Sequence, residues 1–255
     1  MIGRIIIYVF FLSYYCVLYS QSTAGEKYLY ESRYIVDMPS AGILDKSKYA
    51  VYSSAFGNGG VLLQCEAAPF SYFNIGLSYS GINIIGSNDI KWQNLPGIHL
   101  KFRILNESLT IPAIALGLNS QGKGNYYWDE KRFETMSPGI FISASKNYKW
   151  WLGTVAIHSG INYSFEPLPK DRLPNLYLGF EQSLGSYLSL NSEYNCNIDE
   201  TTISFMKNKG LLNTALRWSL SKGVTIELQA RDLLEHIRNN NAINRVFYLE
   251  YIGSF

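Results

Sequence analysis

Charge is scarce in this sequence: Asp, Glu, Lys and Arg make up 16% of its 255 residues, against about 25% in soluble domains. Neither sign prevails, since 22 Lys+Arg stand against 20 Asp+Glu for a net charge of +2. Without a basic excess there is no electrostatic footprint for nucleic acid, which is excluded as a partner. Cysteine is scarce too. Cys16, Cys65 and Cys196 are the only three, too few for a disulfide scaffold and spaced unlike metal ligands. Neither a metal site nor a cofactor is expected. Beyond residue 25 no run approaches 18 apolar residues, so no later helix is long enough to span a bilayer. Aromatics, by contrast, are abundant at 15%, which excludes a disordered chain.

The N-terminus reads as a secretory leader. Arg4 supplies the positive start, Ile5 to Leu12 the apolar stretch, and Ser20, Ser22 and Ala24 the small residues of a cleavage site. The expected organisation is a signal peptide over 1–20, an N-terminal periplasmic segment over 21–46, and an outer-membrane β-barrel over 47–255; within 26–46, Tyr28, Tyr30, Tyr34 and Val36 leave open an extended edge, a plug of the mouth or a place in the periplasm. Removing the leader also removes Cys16, and a bridge between Cys65 and Cys196 is not expected.

After the leader come short segments of strict alternation, the mark of strands with one apolar face. In Gly97-Ile98-His99-Leu100-Lys101-Phe102-Arg103-Ile104 every even position is apolar and every odd one is Gly, His, Lys or Arg. Val224 to Arg231 follows the same rule. About twelve such strands are predicted: 47–56, 60–68, 72–80, 96–105, 111–119, 138–146, 151–164, 174–183, 187–196, 209–220, 223–233 and 244–255. Leu233 to Ile237 reads at most as a helical turn inside a loop. Connections alternate in length. Those around Pro69, Asn106, Asn147, Gly185 and Ser221 are tight, whereas 81–95, 120–137, 165–173, 197–208 and 234–243 are long and polar, with Gly57 to Gly60 the short exception. This segregation on an even strand count predicts an all-β, antiparallel, up-and-down transmembrane barrel with short periplasmic turns and longer extracellular loops.

Three further features separate a barrel in lipid from a β-sandwich in water. The polar faces are small (Gly76, Ser78, Gly97, Ser143, Ser145, Gly153, Gly179 and Ala215), as the inside of a small barrel requires. Aromatics gather near strand ends, at Tyr72, Trp128, Trp150, Trp151 and Trp218, as in interfacial girdles. The last strand places Phe247, Leu249, Tyr251 and Phe255 on one face, the pattern of a C-terminal insertion signal.

A cation facing lipid near the midplane costs about 2–4 kcal/mol. The register must therefore turn His99, Lys101 and Arg103 inward. The same parity assigns Glu66, Glu181, Glu193, Arg217, Glu227, Arg231 and Glu250 to the lumen. Five acids facing four obligate cations should pair, which favours a filled or tightly gated interior over a wide selective pore. Catalysis finds little support. His158 adjoins Ser159, but neighbouring strand residues point to opposite faces and cannot form a nucleophile–base pair.

The N-terminal half resembles the YjbH family of bacterial outer-membrane proteins linked to exopolysaccharide and capsule production. The residues that carry the resemblance are Met38-Pro39-Ser40-Ala41-Gly42-Ile43-Leu44, Asn58-Gly59-Gly60-Val61, Ile75-Gly76-Leu77-Ser78-Tyr79, Asn83-Ile84-Ile85-Gly86, Pro96-Gly97 and Glu107-Ser108. The most specific are Ile111-Pro112-Ala113-Ile114-Ala115-Leu116-Gly117 and Ser120-Gln121-Gly122-Lys123-Gly124. The resemblance covers roughly residues 30–125 and implies an outer-membrane place and a role in surface polysaccharide, with no cofactor and no catalytic residue. The expected partners are outer-membrane lipid, the barrel-assembly machinery, and exopolysaccharide with its secretion machinery. A general small-solute porin, a structural barrel and a soluble periplasmic β-sandwich binding module are the alternatives.

Overall fold

Alternation gives each strand an apolar and a polar face, and the fold decides which medium each face meets. The computed structural model describes residues 30–166, 173–200, 206–220, 223–237 and 244–255. The leader expected over 1–20 lies outside them. Fifteen strands form among the described residues: β1 Lys48–Phe56, β2 Gly60–Phe70, β3 Phe73–Ile82, β4 Lys91–Trp92, β5 Gly97–Leu105, β6 Ala113–Asn119, β7 Lys123–Tyr127, β8 Arg132–Thr135, β9 Gly139–Trp150, β10 Gly153–Tyr163, β11 Asn175–Leu184, β12 Leu188–Asn195, β13 Leu211–Leu220, β14 Val224–Arg231 and β15 Asn244–Ser254.

Twelve of these, all but β4, β7 and β8, pair antiparallel with their chain neighbours in an up-and-down order. The last strand returns to the first, with Lys48 opposite Ser254 and Ala55 opposite Phe247, so the sheet closes into a barrel without an edge. The expected strands and the observed ones coincide to within a few residues. The polar stretch 120–137, read as a plain loop, instead folds into the β7–β8 hairpin, clamped by Tyr126 against Phe133 with ring centroids 5.0 Å apart. The helical turn at Leu233 to Ile237 does not form. There the Asp232 carboxylate accepts the N–H groups of His236 and Ile237 at 2.8 Å each, satisfying from a side chain what a helix would satisfy from its backbone.

The two faces are distributed opposite to a water-soluble protein. Leu63, Leu77, Phe102, Ile142, Ile157, Leu178 and Leu228 are exposed on the outside, while their neighbours Gln64, Ser78, Lys101, Ser143, His158, Glu227 and Gln229 are buried within. A sandwich would bury the apolar rows between two sheets. Here one closed sheet turns them all outward, where hydrocarbon must cover them, and pairs every strand as a bilayer requires. This is the fold of an outer-membrane β-barrel.

The connections segregate by length to the two ends. The short β1–β2 turn lies at the long-loop end, where Asn83 N–H and Ile85 N–H donate to the carbonyls of Asn58 and Gly59 at 2.9 and 3.0 Å. Gly59 is required there. Its φ is +60°, and a Cβ would lie 2.0 Å from the Ile85 carbonyl oxygen. By the general rule for such barrels the long-loop end is extracellular and the short-turn end periplasmic. Tyr72, Trp150, Trp151, Tyr187 and Trp218 are all exposed toward the periplasmic end, a belt of the kind found at membrane interfaces.

Candidate functional site in the barrel lumen

The lumen is occupied by the chain's own N-terminal segment. Of the residues expected in the periplasm over 21–46, those described, 30–46, lie largely inside the barrel instead. They enter at the short-turn end, reverse over Ile35 to Met38, and return. Ile35 N–H donates to the Met38 carbonyl at 2.9 Å, and Ser40 N–H to that of Arg33 at 3.1 Å. Ile35, Val36, Met38, Ala41 and Leu44 are buried. The physical reason is that this short hairpin brings charges and free backbone groups which the inward strand faces complement.

All ten charged and histidine residues assigned inward by parity are buried on the inner face, Lys101 the most exposed at 8%. All but Glu227 meet the hairpin directly. Glu66 accepts from Arg33 Nε at 3.0 Å and from the Tyr34 hydroxyl at 2.9 Å, while Glu250 holds the other side of the Arg33 guanidinium. Lys101 Nζ donates to the carbonyls of Arg33, Ser40 and Gly42 at 2.8, 3.2 and 3.1 Å. Arg103 binds the Ala41 carbonyl at 2.8 Å and the Glu31 carboxylate. His99 bonds Ser78 Oγ at 2.8 Å and lies 3.4 Å from the Tyr34 hydroxyl. Glu193 accepts three successive N–H groups, of Val36, Asp37 and Met38, at 3.1, 2.9 and 2.7 Å. Arg217 reaches the carbonyls of Tyr34 and Ile35 at 3.1 and 3.2 Å. Arg231 pairs with Asp37 at 2.7 Å. Glu181 meets Ser32 of the hairpin and pairs with Arg217, and Glu227 joins indirectly, through Arg217. Thus the wall charges pair chiefly with the hairpin, and with one another only around Arg217.

Small wall residues make room for it. Ser145 Oγ accepts Ala41 N–H at 2.9 Å, and Ser143 Oγ donates to the Ser40 carbonyl at 3.0 Å. A Cβ on Gly179 would lie 2.7 Å from Ile35 Cγ2. The hairpin's own residues, Arg33, Tyr34 and Asp37 above all, escaped the strand-parity reading because they lie before the first strand. The signal that could have found them is a pair of opposite charges flanking Tyr34-Ile35-Val36. His158, weighed only beside Ser159, was not assigned to the lumen. It is buried and bonded through Nδ1 to Ser145 Oγ of the neighbouring strand at 2.8 Å, while Ser159 points elsewhere. Near this pair, at the short-turn end, a cavity of about 340 Å³ remains between the hairpin and the wall.

Phe247, Leu249 and Tyr251 are exposed on the outer face of β15, and Phe255 is exposed just beyond it. Its N–H donates to the Ser47 carbonyl at 3.1 Å, tying the β15–β1 seam. Cys65 and Cys196 are both unbridged, and no metal-holding cluster of His, Cys, Asp and Glu occurs among the described residues. Over the extracellular end, Arg132 grips the Glu200 carboxylate at 2.6 and 3.2 Å. Glu166 accepts the N–H groups of Phe133 and Ser137 at 2.9 and 2.5 Å. Burial raises the Glu166 carboxyl above its ordinary range and lifts that of Asp199 to about 6, with Glu200 adding like charge.

No family model and no curated protein sequence matches this chain. Solved structures with a similar fold include the NanC porin, at 7% identity and a TM-score of 0.43, over 81% of this chain and 99% of that one. The OmpT outer-membrane protein of Vibrio cholerae lacking its loop L8 has 7% identity and a TM-score of 0.32, over 81% of this chain and 97% of that one. OmpF of Salmonella typhi, solved with daunomycin, has 7% identity and a TM-score of 0.31 over 81% of this chain and 96% of that one.

Proposed function

We propose that this chain is a non-catalytic barrel of the bacterial outer membrane, exported by a cleaved leader, that supports the export or surface assembly of exopolysaccharide or capsule. Its lumen is closed at rest by the N-terminal hairpin. The observation that carries the reading is that closure: Lys101, Arg103, Glu193 and Arg217 all bind the hairpin backbone from the barrel wall. A lumen filled this way does not sieve solutes by free diffusion, so a passive pore is the poorer description. The polysaccharide role draws its support from the YjbH resemblance in residues 30–125, which includes Met38 to Leu44 of the hairpin. Lipid surrounds the exterior, the barrel-assembly machinery inserts the chain, and exopolysaccharide with its secretion machinery is the functional partner. Ser145 and His158 do not make a nucleophile–base pair, because His158 Nε2 has no hydrogen-bond partner and no acid orients the imidazole as a serine nucleophile's base requires.

A small-solute porin is the second reading, favoured by the polar wall that displacement of the hairpin would uncover, including Gln64, Asn74, Asn191 and Gln229. Two measurements separate them. Deleting the gene in its native bacterium should reduce secreted or capsular polysaccharide, and the purified full chain should give little steady conductance in planar bilayers. Unchanged polysaccharide together with a large, constant conductance would replace the export reading by the porin.

A further inference from the structure

We infer that the periplasmic mouth holds a binding site for a neutral, hydroxyl-rich ligand, a sugar unit, in the cavity between the hairpin and strands β6, β9 and β10. This deepens the polysaccharide reading by naming a subsite, and rests on that reading only for the source of the sugar. The cavity measures about 340 Å³, at the lower end of the range for small-molecule pockets. It exists because the facing residues are small. Ala113 stands opposite Ser145 and Ala156 opposite Asn147 in the strand register, while Gly42 and Ile43 of the hairpin close the other side.

Two polar atoms of cavity-lining side chains are buried with no partner, Oδ1 of Asn147 and Nε2 of His158. Their residues are 6% and 1% exposed. The polarity of Asn147 Oδ1 is fixed by its surroundings. The Asn147 amide nitrogen donates to Glu107 Oε2 at 2.6 Å, and the backbone N–H of Asn147 donates to Oε1 at 2.8 Å. Oδ1 is therefore the acceptor. Ser145 Oγ accepts Ala41 N–H at 2.9 Å and keeps both its own proton and a second lone pair for His158 Nδ1 at 2.8 Å, so Nε2 is a donor in one tautomer and an acceptor in the other. His158 lies opposite Ser145, which makes Asn147 its diagonal neighbour, about 7–8 Å away along the sheet.

One open acceptor and one open ring nitrogen, a donor or an acceptor according to tautomer, call at that spacing for groups that both donate and accept, and hydroxyls on one ring do so. Charge is not what the site lacks. Glu107 is paired with Lys146 at 3.3 Å, and Arg103 with Glu31. An anionic ligand would meet the carboxylates of Glu31, Asp45 and Glu107 and would have to break the pairs that hold Arg103 and Lys146, whereas a neutral sugar would leave them intact. Because the hairpin forms one wall, binding also favours the closed state.

The test uses the full chain in a non-glycosidic detergent, with cellobiose as probe and benzoate as a charged ring of similar width, followed by saturation-transfer NMR. Cellobiose should bind saturably, benzoate should not, and Ala113→Leu and Asn147→Leu should each weaken cellobiose by about tenfold or more. The first variant fills the space beside Ala41 of the hairpin, and the second removes the acceptor together with the amide's bond to Glu107, whose bond from the Asn147 backbone N–H remains. Each is scored once its unheated band still migrates faster than its boiled one, and perturbation of the His158 imidazole by cellobiose in the unmodified protein gives a readout independent of both. No saturable cellobiose binding, stronger binding of benzoate, or equal binding by both folded variants overturns the site. Loss of polysaccharide on gene deletion without cellobiose binding sinks the site and leaves the export reading. Binding without any polysaccharide phenotype does the reverse.

Discussion

Glu193 is the residue on which the closed state turns. One carboxylate accepts three consecutive backbone N–H groups at the tip of the hairpin and also a bond from Asn213. A buried N–H left without a partner costs about 1–3 kcal/mol, so Glu193→Ala should loosen the tip while sparing the barrel, whose strands pair through their backbones. The expected result is faster proteolysis within residues 30–46 and frequent opening events in planar bilayers, with the heat-dependent gel shift unchanged. Glu193→Gln keeps an accepting oxygen and should fall between the two. Protection of the hairpin equal to that of the unmodified protein would show that the tip is held elsewhere. Arg33 offers an independent check, because it sits between Glu66 and Glu250. Arg33→Met leaves two acids buried near one another, and removing one partner of a buried pair costs about 3–5 kcal/mol. Its hairpin should be displaced at least as readily, measured by the same protease.

At the scale of the element, each strand is fixed by which neighbour meets lipid. Phe102 is half-exposed on the outer face of β5 between inward Lys101 and Arg103. Phe102→Arg should destabilise the folded barrel in bilayers by about 2–4 kcal/mol, read by equilibrium unfolding, whereas Gln229→Arg on the inner face should cost less if the hairpin can shift. This alternation is why the twelve strands were legible from sequence: a period of two with charged odd positions leaves one tolerable register. The hairpin was not legible because residues 30–46 have no such period; their partners are far away in sequence, as Ile35 with Asn191 and Tyr177 with Pro39 illustrate. The Ser145–His158 pair was hidden for the same reason, being adjacent across strands and not along one. The extracellular loops follow a different chemistry. The Asp199 carboxyl is lifted to about 6 in the folded protein, so between its unfolded value near 4 and pH 6 the folded state binds the extra proton. Loop stability contributed by Asp199 therefore falls as pH rises through that window. Hydrogen exchange around residues 197–200 should slow on going from pH 7 to pH 5, after correction for intrinsic rates, and Asp199→Asn should flatten the difference. A loop that loosens on acidification would reverse the sign and count against this account.

For the whole molecule, the question is whether the hairpin is a permanent cork or a gate. A permanent cork gains most from apolar packing, yet this one is held mainly by buried charges and by carbonyl and N–H groups that a polar cargo or water could satisfy in its place. Such contacts are individually replaceable, which suits a two-state element whose closed form a ligand can favour or disfavour. A reversible lock decides the matter. Ile35 lies against Gly179, where a Cβ on the glycine would come 2.7 Å from Ile35 Cγ2, so the Cβ atoms of Ile35→Cys and Gly179→Cys fall within reach of a disulfide. With Cys65 and Cys196 replaced by Ser to leave one pair, oxidation should fasten the hairpin to β11 and reduction should release it. If the hairpin is a gate, the oxidised cells should lose surface polysaccharide, and the oxidised protein should lose the openings that Glu193→Ala permits, both returning with reductant. If it is a cork, polysaccharide output should be the same in either redox state, and the barrel would then act in surface assembly through its exterior and loops without passing cargo through its lumen.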